Sequence, residues 1–182
     1  MRCVLAFLAA LVASPVVAGG GSALDYVGQC VPFARLVSGI QIYGDAWTWW
    51  ASADGHYVKG KRPRIGAVLV FRPTDRMKLG HVSVVSRIID ERVVMVTHAN
   101  WSRIGGVRGR AEQDVTMTDV SPNGDWSRVK VWYNDNDGLG GSSYPTYGFI
   151  YPQRTDGVRV AAHSAITGRD PDYVGSLIDV YR

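Results

Sequence analysis

Cysteine and histidine are scarce in this sequence: its 182 residues hold 2 Cys and 4 His. Cys30 lies in Gly28-Gln29-Cys30-Val31-Pro32-Phe33-Ala34-Arg35, His81 in Gly80-His81-Val82-Ser83-Val84-Val85, and His98 in His98-Ala99-Asn100-Trp101. A thiol acts as a nucleophile when a base holds its proton, and His is the usual base. A third group, Asn, Asp, Glu or His, must fix the tautomer and orientation of that base. Backbone donors must also receive the developing oxyanion, and an amide at a helix N-terminus can help provide them. The order Cys30, His81, then His98 or Asn100 supplies all of these parts. The competing readings are an inert buried thiol for Cys30 and a satisfied polar strand edge for His98 and Asn100.

The elements that must position these groups are legible in outline. Phe33, Leu36, Val37 and Ile40 recur at i, i+3, i+4 and i+7, the apolar stripe of a helix. Pro32 lacks an amide hydrogen and belongs in a first turn, and Gly39 marks the end. Cys30 therefore falls at the N-cap or first position. The unpaired amides and partial positive charge there favour a thiolate and predict a lowered thiol pKa. Gly66 to Phe71 is a buried strand. From Gly80 on, Val82, Val84 and Ile88 take one face of a strand and His81, Ser83 and Arg87 the other. Ile89 to Arg92 makes a turn, and Val93 to Thr97 is the hairpin partner. Period-2 geometry then points His98 and Asn100 the same way.

Other stretches carry weaker signals. Trp47, Trp49 and Trp50 are either the core of a second helix or a wall on which a sugar or peptide stacks. Of these, Trp47 is the one that leans towards the core. Lys59 to Lys78 holds seven basic residues and one acid, Asp75. That run is a solvated rim around the buried strand or an attraction for an anionic polymer or membrane surface. Val115 to Val120 and Arg128 to Tyr133 alternate as strands around a Pro122-Asn123-Gly124 turn. Asn134 to Ser143 is a polar loop, and Tyr147 to Tyr151 is a last strand closed by Pro152. His56 sits in a solvated loop.

Bulk properties fit one domain with a tail. A hydrophobic content of 46% and a charged content of 20% are ordinary for a globular chain. A net charge of +4 does not call for nucleic acid. Residues 1–18 read as a signal peptide: Arg2, an apolar run from Val4 to Val12 too short to span a bilayer, and a cleavage site at Val16-Val17-Ala18. Export to the periplasm or medium is expected, with no integral membrane segment after cleavage. Cleavage removes Cys3 and leaves Cys30 unpaired, where exported proteins usually pair their thiols. Residues 24–152 are read as the domain, and 153–182 as a linker and tail with one short helix.

Taken together, Gln29 to Arg35, Gly66 to Phe71, Gly80 to Val85 and His98-Ala99-Asn100-Trp101 resemble the CHAP family. This is a group of cysteine- and histidine-dependent amidohydrolases and peptidases within the NlpC/P60-like, papain-like hydrolases. Tyr147-Gly148-Phe149-Ile150-Tyr151-Pro152 is similar to the family's last strand. The resemblance covers about residues 24–152. It implies an α+β fold with an N-terminal nucleophile helix packed on an antiparallel, barrel-like sheet. It also implies cleavage of a peptidoglycan amide bond, either N-acetylmuramoyl-L-alanine or a bond of the stem peptide or cross-bridge. Cys30 matches the family nucleophile and His81 the family base. Many members carry Glu-x-Asn-Trp where this chain has His98-Ala99-Asn100-Trp101. His98 as third residue has a parallel in NlpC/P60 enzymes, and Asn100 one in papain-like sites.

The expected mechanism needs no cofactor or metal. The Cys30 amide, with Gln29 or a nearby backbone donor, holds the oxyanion, and Trp47, Trp49 and Trp101 are candidate substrate walls. A monomer acting on peptidoglycan is expected. Two other classes share the fold: a catalytically silent wall-binding module, and a toxin-type amidase or transamidase acting on another envelope amide. A cytoplasmic glutathionylspermidine-type amidase conflicts with the signal peptide.

Overall fold

Several strands of this chain bury both faces, which is why Val68-Leu69-Val70-Phe71 reads as an unbroken apolar run. The computed structural model describes residues 22–154; the expected signal peptide and the tail with its expected helix lie outside the described residues. After a 3-10 turn at Ala23–Asp25 come α1 (Cys30–Ser38), a second 3-10 turn (Ala46–Thr48) and the four-residue α2 (Trp49–Ser52). The strands are β1 (Tyr57–Gly60), β2 (Val68–Phe71), β3 (His81–Ile88), β4 (Val93–Ala99), β5 (Ala111–Asp119), β6 (Arg128–Tyr133), β7 (Gly138–Leu139) and β8 (Tyr144–Arg154). Strands β8, β2, β3, β4, β5 and β6 pair antiparallel in that order, and β6 returns to β8 to close a barrel. Closure leaves the barrel strands without open edges. β1 adds to β8, and β7 to β6.

The two faces of the barrel wall make two cores. Inside, all six barrel strands contribute, among them Leu69, Phe71, Val85, Val96, Met117, Val129, Val131 and Phe149. On the outer face Val68, Val70, Val82, Val84 and Ile150 join Phe33, Ala34, Val37 and Ile40 of the α1 segment and the ring of Trp49. Gly39 ends α1 in the left-handed region at φ 72°, with its amide on the Arg35 carbonyl. Leu36, expected in the apolar stripe, is exposed; Ala34 takes its place in the core. Trp47 is also reversed from expectation, being 41% exposed, whereas Trp49 is fully buried.

Bulges explain where the strand reading differs from the structure. In β3 the register slips between Val85 and Arg87, which changes the face of everything beyond. Ile88 therefore leaves the face of Val82 and Val84 and is exposed. In β8 the strand passes Pro152 and continues to Arg154, because Pro152 sits where the register with β1 shifts and no ladder amide is required. β1 lies in what reads as loop and basic run. The basic side chains around it are engaged: Lys59 donates to the Trp50 carbonyl at 3.0 Å, and Lys61 to the Tyr147 carbonyl at 2.6 Å. Arg72 donates to the Thr146 carbonyl at 3.0 Å and lies over the Tyr147 ring.

Gly80 introduces β3 at φ 68°, and a Cβ there would stand 2.8 Å from the Phe71 carbonyl oxygen and 3.0 Å from the Trp47 backbone nitrogen. Gly55 also has positive φ, at 74°, but opens on empty space. Gly80→Ala is expected to lower unfolding free energy by about 2–3 kcal/mol, from left-handed strain plus a backbone clash. Gly55→Ala should cost only the strain, about 1 kcal/mol. Urea unfolding of the two variants would show it; equal losses would mean that the close approach at Gly80 carries no energy.

Candidate active site

Cys30 is the first residue of α1, and its N-cap Gln29 is extended, with φ −90° and ψ 155°. The chain before it is clipped to the sheet. Gly28 donates its amide to the Gly109 carbonyl at 2.8 Å, Ala111 donates to the Tyr26 carbonyl at 3.2 Å, and Val27 bridges Arg110. The Tyr26 hydroxyl donates to the Gln29 carbonyl at 2.9 Å. These bonds hold the N-terminus of α1 against the start of β5. Pro32 at the third helical position sacrifices only an amide that has no intrahelical partner.

The Cys30 thiol is half-buried beside the backbone of Val82, the residue after His81. Burial pushes its pKa up, and the backbone groups of Val82, Cys30 and Val31 oppose that without cancelling it. This corrects the expectation of a lowered thiol pKa. A helix N-terminus favours a thiolate, but partial desolvation of the sulfur outweighs it here.

His81 opens β3 and His98 stands near the end of β4, exposed by only 3% and 1%. His81 Nε2 lies 3.1 Å from His98 Nδ1, a hydrogen bond between the two imidazoles. Trp101 covers the pair: its ring centroid is 4.9 Å from that of His81 and 5.6 Å from that of His98, nearly parallel to the latter. The Trp101 indole N–H donates to the Trp132 carbonyl at 3.1 Å, which fixes the cover. Phe71 meets His81 edge-on at 5.3 Å. In this dry setting burial lowers the His81 pKa to about 3. His98 is held well below its ordinary value by burial and then by the neighbouring His81. Both rings are neutral at neutral pH.

The structure separates the two candidates for the third position. His98 touches His81. Asn100 does not, because its backbone turns into the left-handed region at φ 64° and breaks the alternation that would have aligned it with His98. Its side-chain amide instead donates to Gln29 Oε1 at 2.9 Å. Asn100 thus holds Gln29, beside the thiol. Trp49, expected as a substrate wall, is fully buried and belongs to the core under α1. Trp101 is 8% exposed and backs the histidines rather than lining an open wall. Trp47 is exposed, and its amide is tied to the Leu79 carbonyl at 3.2 Å.

One residue near the pair escaped the sequence reading. Glu112 on β5 is directly opposite His98, and its Oε1 lies 3.8 Å from His98 Nε2. The strand it belongs to reads from Val115 onward, since Gln113-Asp114 breaks the alternation. An open cavity of about 520 Å³ runs along β5, lined by Leu24, Ile104, Gln113, Thr116 and Trp132 among others, but not by Cys30, His81 or His98.

The CHAP domain family model matches residues 19–100, a span that contains Cys30, His81, His98 and Asn100 and stops short of β5. A search of curated proteins finds no significant match. The matched span carries both histidines of the buried pair and the thiol at the head of α1, and over residues 19–100 the chain is similar to the CHAP domain family.

Proposed function

We propose that this chain is an exported peptidoglycan hydrolase that cleaves an amide bond through the Cys30 thiol, with His81 as base and His98 as its orienting partner. CHAP domains are typically hydrolases of the amidase or peptidase type. The observation that carries the finer reading is the 3.1 Å bond from His81 Nε2 to His98 Nδ1, buried under Trp101. A surface histidine needs no such partner. A base that must present one chosen nitrogen does. The arrangement of α1 on an antiparallel barrel supports the papain-like type of site. Among the described residues no helix is long and apolar enough to cross a membrane.

At rest the thiol and both imidazoles are uncharged. His81 Nε2 is taken by His98, so Nδ1 is the nitrogen that receives the Cys30 proton. The thiolate attacks the amide carbonyl carbon, and the carbonyl π electrons move onto oxygen. The Cys30 amide, at a helix N-terminus without an intrahelical partner, donates to that oxyanion. Gln29 is the second donor: its Oε1 accepts from Asn100, which leaves its NH₂ for the substrate. The C–N bond breaks as His81 Nδ1–H protonates the amine. Water, deprotonated by the same nitrogen, then hydrolyses the thioester and restores the thiol.

Digestion of purified peptidoglycan by the mature protein, with mass analysis of the fragments, tests the substrate. Release of whole stem peptides would identify a muramoyl-alanine amidase, and cut stems or cross-bridges an endopeptidase. Cys30→Ser and His81→Ala should each reduce the rate by at least about 10³-fold, and the double variant should lose little more. Undiminished digestion by Cys30→Ser would overturn the thiol mechanism, and digestion by neither wild type nor variants would favour a silent wall-binding module.

His98→Ala and Asn100→Ala should differ in kind. Loss of His98 frees the His81 ring and is expected to lower kcat about 10²-fold or more. Loss of Asn100 only frees Gln29 without removing it, so the fall should be nearer tenfold, less than the roughly 10²–10³-fold for outright loss of an oxyanion donor. Steady-state kinetics on fragments would show the order, and a larger fall for Asn100→Ala would assign the orienting role to it.

The histidine pair also predicts acid sensitivity. Its folded-state pKa values lie below the unfolded value of about 6.5. Below pH about 6.5 the unfolded chain binds protons that the native pair refuses, so stability is complete above that pH and is lost as pH falls towards about 3. His81 alone should contribute roughly 1.4 kcal/mol per pH unit within that window. Urea midpoints between pH 7 and 5, above the carboxylate range, would measure it. A flat midpoint there would mean that the pair takes up protons in the fold.

A further inference from the structure

Glu112 lies beyond the residues matched by the family model, on the strand that flanks β4. The β4–β5 register shifts between Val96↔Val115 and His98↔Glu112. Two steps along β4 match three along β5, so one extra residue is inserted in β5 at Gln113–Asp114. Asp114 takes the strain at φ 54°; its carboxylate accepts from the Ser86 hydroxyl at 2.7 Å and pairs with Arg87 at 3.2 Å. Without the bulge, regular pairing would put Gln113 opposite His98. With it, a carboxylate stands there, on the same face as the imidazole.

The environment of that carboxylate is specific. Glu112 is 7% exposed, and its Oε1 accepts the Ser102 amide at 2.7 Å. The same oxygen is 3.8 Å from His98 Nε2, too long for a hydrogen bond but close for a charge. His98 Nε2 is buried with no hydrogen-bond partner. It is the only ring nitrogen of His98 left after Nδ1 meets His81.

We propose that Glu112 is a positioning residue that sets the tautomer of the two-histidine relay and supplies the negative charge that His98 lacks. This rests on the reading of Cys30, His81 and His98 as a catalytic unit. Two tautomer arrangements satisfy the His81–His98 bond. In one, His98 Nδ1–H donates to His81 Nε2; His81 then carries its proton on Nδ1 and cannot accept one from the thiol. In the other, His81 Nε2–H donates to His98 Nδ1, and His98 carries its proton on Nε2, facing Glu112. Only the second leaves His81 Nδ1 basic. A carboxylate beside His98 Nε2 attracts a proton there and repels a lone pair, so it selects the second. When His81 takes the thiol proton, the same carboxylate opposes the new positive charge through the intervening ring.

Glu112→Gln tests this, since its side-chain oxygen still accepts from Ser102 while the charge is removed. The first readout needs no substrate. Nitrogen-15 imidazole shifts of the wild type should show His98 protonated at Nε2 and His81 at Nε2, and Glu112→Gln should move a substantial fraction of both protons to Nδ1. The second readout is Cys30 alkylation by iodoacetamide at pH 7, expected to slow about tenfold in Glu112→Gln. The third is turnover on wall fragments, with kcat expected to fall about 10–100-fold at unchanged KM. In a His98→Glu background, where a carboxylate would meet His81 directly, Glu112→Gln should cost nothing. Unchanged tautomers and alkylation in a folded Glu112→Gln overturn the proposal. An equal loss in both backgrounds also overturns it, by making Glu112 merely structural. If Glu112→Gln shows the tautomer shift and the slowed alkylation while the wild type hydrolyses no wall, Glu112 keeps this role and the substrate reading is overturned instead.

Discussion

The site depends on keeping two imidazoles neutral and bonded to each other in a place without water. A buried polar ring is costly unless it is satisfied, and each ring here satisfies one nitrogen of the other. The rest of the local structure can be understood from that constraint. Trp101 and Phe71 exclude solvent from the pair, the Trp132 carbonyl anchors Trp101, and Gly80 lets the chain enter β3 where a Cβ would strike Phe71. The reward is direction. A solvated histidine is a base through whichever nitrogen is available, whereas the His81 ring has one nitrogen committed.

The same burial governs the thiol. Sequence position alone placed Cys30 where amides and the helix dipole favour an anion, and that inference about position was sound: it is the first residue of α1. The electrostatic conclusion drawn from it was not. Desolvation acts on the same group with the opposite sign, and its size depends on what packs against the sulfur, which no local pattern encodes. The proposed chemistry therefore begins from an uncharged pair, with proton transfer coupled to attack, rather than from a standing ion pair.

What was legible in the chain divides along the same line. Periodicity revealed α1, β2, β3, β4 and β6, because each buries a face and needs apolar residues at a fixed spacing. It placed Cys30 and His81 at element ends, where the structure has them. It erred wherever the backbone departs from regularity. Asn100 in the left-handed region, the slip after Val85 and the insertion at Gln113–Asp114 each change a side chain's face without altering the residue types. Glu112 was invisible for this reason, since its significance comes from a register that only pairing with β4 reveals. The three-tryptophan cluster was misassigned between Trp47 and Trp49 because a four-residue helix is too short to display a stripe.

The clip that joins Tyr26–Gly28 to Gly109–Ala111 has a consequence for the order of events in folding. Gly28 and Gly109 are 81 residues apart in sequence, so this contact closes a long loop and cannot form early. Until β5 is in place, the stretch before Cys30 lacks its clip, and only the packing of α1 on the outer face of the barrel holds the helix. The final placement of Cys30 is therefore completed late, when β5 joins the sheet and the clip closes.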